Sequence, residues 1–198
     1  MIYIGIDPGL DGGIAFVNDD SFVELFKTPV IGGRDYDIQE MKRILTSHFI
    51  SNTLFCTIEN QISMPGQGLT STLQTGKGFG IWLGLLAGLE VPYQVVGAKQ
   101  WQAKLFTGIS SKLDTKARSE IIAKRLFPGA DFRRSDRARV ANDGLTDAAC
   151  IAEYGRRTYK IGDQGSGIEH VPLESAPEIC SRCGRYIPGD SVGCFTNK

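Results

Sequence analysis

The stretch from Ile2 to Val17, IYIGIDPGLDGGIAFV, constrains the fold more than any other part of the chain. Ile2, Ile4 and Ile6 alternate with Tyr3 and Gly5, which is the period of a strand with two distinct faces. Pro8-Gly9 and Gly12-Gly13 are turn signals, and Ile14 to Val17 is apolar again. Strand, tight loop and antiparallel strand therefore follow one another. The hairpin carries one carboxylate, Asp7, to the end of a buried strand, beside glycines that let backbone or phosphate come close. Such an Asp either binds a hard cation through oxygen or merely begins a turn. Partners elsewhere in the chain must decide.

Further along, Phe22 to Lys27 reads as a third strand, closed by Pro29 and a Gly32-Gly33 loop. Asp37 and Glu40 have the spacing of a capping box for a helix running to about His48, where the imidazole suits the helix end. Thr53 to Glu59 is a continuous apolar run ending in an acid, the pattern of a strand buried on both faces. Glu59 thus reaches a strand end as Asp7 does, and a carboxylate there needs a partner or a metal. Asn60 to Gly68 is an irregular polar loop placed to touch a substrate.

From Leu69 to Leu89 the chain turns helical with more apolar surface than one face requires, which points to a subunit interface. Val91 to Val96 is another strand, and Ala98 to Phe106 a short helix carrying Trp101. A helix from Thr115 to Phe127 is capped by Asp114 and stopped by Pro128-Gly129. A basic loop, Arg133 to Arg139, precedes a last helix that starts at Asn142 or Asp143 and runs to about Tyr159. Asp143 and Asp147, four apart, share one face of it. On their own they would read as an N-cap and a first-turn acid.

Charge is zero overall but unevenly placed. Residues 1–60 hold nine acids against four bases, and residues 112–139 hold nine bases against four acids. A basic segment facing an acidic pocket is what a phosphodiester substrate requires, although a solvated helix face has the same composition. The 198 residues, 41% hydrophobic, are enough for one domain and a tail, with boundaries expected at 1–160 and 161–198. No apolar run approaches the roughly 18 residues of a membrane span, and no signal peptide opens the chain. A cytoplasmic protein without a membrane partner is expected.

Asp7, Glu59, Asp143 and Asp147 come from two strand ends and one helix start. Four such acids would repel one another without cations, and two divalent ions roughly 3.5–4 Å apart would explain all four. The order of elements is that of the ribonuclease H-like fold, an α/β class with a mixed five-stranded sheet flanked by helices. The blocks IGIDPG with GGIAF, IENQ, GKGFGIWLGLL, KARSEIIAKRLFP and DGLTDAACIAEYGRR resemble the RuvC-type Holliday junction resolvases, particularly the short phage-encoded branch, over about residues 1–159.

The resemblance implies a homodimer that cuts four-way DNA junctions symmetrically, with Asp7, Glu59, Asp143 and Asp147 holding two Mg2+ or Mn2+ ions. It also implies lysines near Lys112 and Lys116 at the phosphates, and the basic segment adds Arg118, Arg133 and Arg134 as DNA contacts. The last acidic pair is spaced by four here and by three in many relatives. Which of Asp143 and Asp147 binds the tighter metal stays open.

The rival readings are fewer. A sugar-kinase or actin-like ATPase would need a second copy of the first loop, which this chain lacks. A noncatalytic branched-DNA-binding module would not require four intact acids. A nuclease of the same fold acting on a replication-fork, other branched or RNA substrate is not separated by sequence, because fold and metals do not set the substrate. With only His48 and His170 present, a histidine-based nuclease is disfavoured. In the Gly-, Ser- and Pro-rich tail, Cys180, Cys183 and Cys194 are candidate zinc ligands, with His170 or a partner subunit as source of the fourth.

Overall fold

The computed structural model describes residues 1–49, 53–61, 66, 68–159, 178–179 and 186–187. The chain divides into two units, Met1–Gly162 and Asp163–Lys198. The first holds β1 (Ile2–Asp7), β2 (Gly13–Asn18), β3 (Val23–Lys27), β4 (Val30–Ile31), β5 (Asp35–Tyr36), α1 (Ile38–Thr46), β6 (Leu54–Glu59), α2 (Leu69–Gly88), β7 (Tyr93–Val96), α3 (Ala98–Leu105), α4 (Thr115–Leu126) and α5 (Asp143–Thr158). The second holds a small antiparallel pair, β8 (Glu178–Ile179) with β9 (Tyr186–Ile187). The cysteines of the expected zinc site, Cys180, Cys183 and Cys194, lie outside the described residues, as does His170. No helix among the described residues is long and apolar enough to cross a membrane.

The main sheet is mixed and five-stranded, in the order β3-β2-β1-β6-β7. β1 to β3 form an antiparallel meander, whereas β6 and β7 run parallel to β1. Because strand side chains alternate, β1 sends Ile4 and Ile6 to one face and Tyr3, Gly5 and Asp7 to the other. Ile4, Ile6, Cys56 and Ile58 pack with Met41, Leu45, Trp82 and Leu86 from α1 and α2. The opposite face is covered by α5, whose Ala148, Ala149, Ile151 and Ala152 form one core with Trp101, Phe106, Ile122 and Phe127.

Gly5 decides how closely α5 approaches. A Cβ on Gly5 would collide with the Ala148 carbonyl and the Ala152 amide, so the helix backbone rests directly on β1. The sequence pattern and the structure part company at two places, and at a third the structure decides between two open readings. The Gly32-Gly33 segment is the tip of a short hairpin, β4–β5, with both glycines at positive φ. His48 does not close α1, whose C-cap is Ser47; its ring stacks on Phe16 at 4.0 Å and its Nε2 meets Glu24 of β3 at 3.0 Å. The cap of α5 is Asn142, which accepts from the Leu145 amide at 3.1 Å, so Asp143 is not needed as a cap.

Candidate active site

The register of the two central strands assembles the first two acids. Ile6 pairs with Ile58 in parallel β1 and β6, so the next residue of each strand, Asp7 and Glu59, ends its strand beside the other. Both lie on the face that α5 covers. The start of α5 is brought to the same place by backbone contact. A Cβ on Gly144 would strike the Asp11 carbonyl and the Gly12 backbone, so only glycine lets the first turn of α5 sit on the β1–β2 turn. Asp147, one helical turn further on than Asp143, then faces Asp7.

The electrostatics record this crowding. Burial, with the Asp147 and Glu59 carboxylates beside it, pushes Asp7 up to about 7, even though the Gly9 amide at 3.4 Å draws it down. Burial also pushes Asp147 up to about 6, opposed by the nearby Ser119 hydroxyl and Lys116 and reinforced by Glu59 and Asp143. The hydroxyl does not close a hydrogen bond: Asp147 Oδ1 and Ser119 Oγ are both buried without a partner. Burial raises Glu59 as well, and the indole of Trp101, which donates to Glu59 Oε2 at 2.7 Å, lowers it. Asp143 is different. It sits at the mouth, half-exposed, with the Lys116 ammonium 2.6 Å from its Oδ2.

Among the described residues no group of three or more His, Cys, Asp and Glu is gathered tightly enough to form a ready metal shell. The donor set nonetheless suits a hard cation. It is made of carboxylate oxygens only, one of them a buried oxygen with no partner, and the acids disfavour one another's ionisation.

Of the five candidate DNA contacts, Lys112, Lys116, Arg133 and Arg134 are exposed, and Lys116 and Arg134 reach the acid cluster or the turn beside it. Lys112 is exposed in the loop before α4, Lys116 reaches Asp143, and Arg134 stands 3.6 Å from Asp11 on the β1–β2 turn. The other two have structural engagements. Arg118 lies over the Phe106 ring at 4.5 Å, with its Nε buried, and Arg133 forks onto Asp131 at 2.6–3.0 Å. The Asn60–Gly68 substrate loop falls partly outside the described residues, at 62–65 and 67.

Sequence reasoning missed Trp101 and Ser119 as neighbours of the acids. Their positions in α3 and α4 carried only a helical pattern, and nothing local reveals which strand end a side chain meets.

No protein-family model matches the sequence, and no curated protein matches it. Solved structures do. The RuvC of Thermus thermophilus aligns with a TM-score of 0.54 at 20% identity, over 79% of this chain and 96% of that one. The same protein in complex with a Holliday junction substrate aligns with a TM-score of 0.54 at 17% identity over the same shares. The yeast mitochondrial Holliday junction resolvase aligns with a TM-score of 0.50 at 16% identity, over 78% of this chain and 77% of that one. In the order and direction of its strands and the helices on both faces, this chain has the ribonuclease H-like fold of the RuvC-type resolvases.

Proposed function

We propose that this protein is a divalent-metal-dependent endonuclease that cuts branched DNA, with the four-way junction as its substrate, as in the short phage-encoded branch that its sequence blocks resemble. One observation carries the reading: Asp7, Glu59 and Asp147 converge from two strand ends and a helix into a place where each raises the cost of ionising the next. A structural domain has no use for such a cluster, whereas cations relieve it. Asp7, Glu59, Asp147 and Asp143 would hold Mg2+ or Mn2+. Ions bound there supply activation of the attacking water and compensation of charge on the leaving oxygen.

The remaining work falls to the chain itself. Trp101 holds Glu59 by a hydrogen bond, and the close seating of Gly144 on Gly12 fixes where α5 brings Asp147. Lys112, Lys116 and Arg134 present cations to phosphates around the mouth without reading bases.

Symmetric cutting requires two sites, and α2 supports a homodimer. Gly76, Gly80, Gly84 and Gly88 form a stripe four residues apart, with open space where a Cβ would be, and Leu69 and Leu73 are 86% and 70% exposed. A second copy of α2 can approach closely along such a face. A cytoplasmic location for the whole chain and a zinc site at Cys180, Cys183 and Cys194 complete the proposal.

The test is denaturing-gel mapping of cuts on a synthetic four-way junction, a fork, an RNA–DNA hybrid and a linear duplex, with Mg2+ or Mn2+. Paired nicks at symmetric positions of the junction are expected, and Asp7→Asn and Glu59→Gln should each lower cutting at least about 100-fold while junction binding persists. Preferential cutting of the fork or hybrid would transfer the reading to another substrate of the fold. Junction binding without cutting in any metal would make it a binding module.

A further inference from the structure

We infer that Trp101 is a positioning residue that holds Glu59 by one oxygen and leaves the other for a cation. The inference deepens the metal-dependent reading above and rests on it. Glu59 ends β6 with a flexible side chain beside Asp7 and Asp147, and like-charge repulsion alone would swing it away. The indole N–H of Trp101 takes Oε2 at 2.7 Å. Among the described residues Oε1 has no hydrogen-bond donor. Glu59 is thereby presented through a single atom in a fixed direction.

The donor is itself immobilised. Trp101 is fully buried, and its ring meets Phe106 edge to face at 5.5 Å and 83°. The Arg118 guanidinium lies over the Phe106 ring at 4.5 Å. Arg118 lies in α4 two residues beyond Lys116, which engages Asp143. Besides Ser119 near Asp147, α4 therefore reaches the acid cluster through Lys116 on Asp143 and through a strut, Arg118–Phe106–Trp101, that ends on Glu59. A phenylalanine in place of Trp101 would keep most of the packing and remove only the N–H.

The experiment counts Mn2+ bound to the DNA-free protein by the EPR signal of free Mn2+, for wild type, Trp101→Phe, Glu59→Gln and the double variant. Trp101→Phe is expected to weaken Mn2+ binding about tenfold. Its junction binding without divalent ions should stay within about twofold of wild type, since those contacts are ionic and lie elsewhere. In the Glu59→Gln background, Trp101→Phe should add nothing.

Wild-type Mn2+ affinity in Trp101→Phe, or effects that multiply in the double variant, would overturn the inference while a weakened Glu59→Gln kept the metal reading intact. A wild-type chain that takes up no Mn2+ would overturn both. Should Trp101→Phe not fold, the indole proton resonance of wild-type Trp101, assigned with Trp82→Phe, serves instead. It should shift on titration with Mg2+, and an unmoved resonance would reject the role.

Discussion

Lys116 Nζ stands 2.6 Å from Asp143 Oδ2, so the exposed member of the acid set already faces a cation from the chain's own basic helix. The contact is between two solvent-accessible side chains, and its net contribution to stability is small. Its position matters more than its strength, because it sets an ammonium at the rim of the acid cluster.

Lys116→Ala and Arg134→Ala should therefore each weaken junction binding and flatten the dependence of log K on log salt by about 0.9 for every phosphate that is no longer neutralised. Arg118→Ala and Arg133→Ala should leave that slope nearly unchanged. Arg118→Ala should instead lower the melting temperature, since its guanidinium covers Phe106. Fluorescence anisotropy with a labelled junction at several salt concentrations measures the slopes, and equal slopes for all four variants would reject the division.

Gly144→Ala should both destabilise and inactivate. The added methyl meets the Asp11 carbonyl and the Gly12 backbone, so α5 must move off the β1–β2 turn and take Asp147 with it. Overpacking of this kind costs about 1–3 kcal/mol. Thermal melting and junction cleavage should fall together, whereas Gly129→Ala, with nothing within 4 Å of the added methyl among the described residues, should alter neither the fold nor the site.

The acid cluster sets a pH dependence whose sign is opposite to that of a salt-bridged carboxylate. Asp7 is raised to about 7 and Asp147 to about 6, against about 4 for an unfolded aspartate. The folded chain binds more protons than the unfolded chain between those values. The stability contributed by the protonated acids is complete below about pH 4 and is lost as pH rises through about 6 to 7. In EDTA at pH 8, Asp7→Asn should consequently melt above wild type, by roughly 2–4 °C for each kcal/mol relieved. At pH 4 the difference should close. Identical melting curves at pH 8 would argue that Asp7 is not crowded by its neighbours.

Gly84→Glu tests the dimer. Apart from the backbone of α2 itself, no atom of the described residues lies within 4 Å of a Cβ at Gly84, so the monomer should fold, and replacing a helical glycine should favour α2 slightly. Two copies packed along this stripe would bury unpaired carboxylates at close range. Sedimentation velocity should show dimers for wild type and monomers for the variant. A monomeric wild type at micromolar concentration would remove the α2 interface from the proposal.

Apart from the short pairs β4–β5 and β8–β9, the elements were legible in sequence because they follow from local periods and caps. The alternation of Ile2, Ile4 and Ile6, the apolar run to Glu59, and the Asp114 cap of α4 are all readable within a few residues, and the observed bounds differ by one or two positions. Local patterns also showed that Asp7 and Glu59 end strands and that Asp143 and Asp147 share a helix face. What they could not specify is which residues meet across long separations. The parallel register of β1 with β6, the seating of Gly144 on Gly12, the indole of Trp101 on Glu59 and the diversion of Arg118 to Phe106 each join residues more than ten positions apart. Even the local choice of Asn142 over Asp143 as the cap was ambiguous, since either side chain can accept from a helix amide. Backbone propensity acts through neighbours in the chain, whereas burial, charge crowding and side-chain partners depend on distance in space, and only the folded sheet with its two helical layers defines that distance.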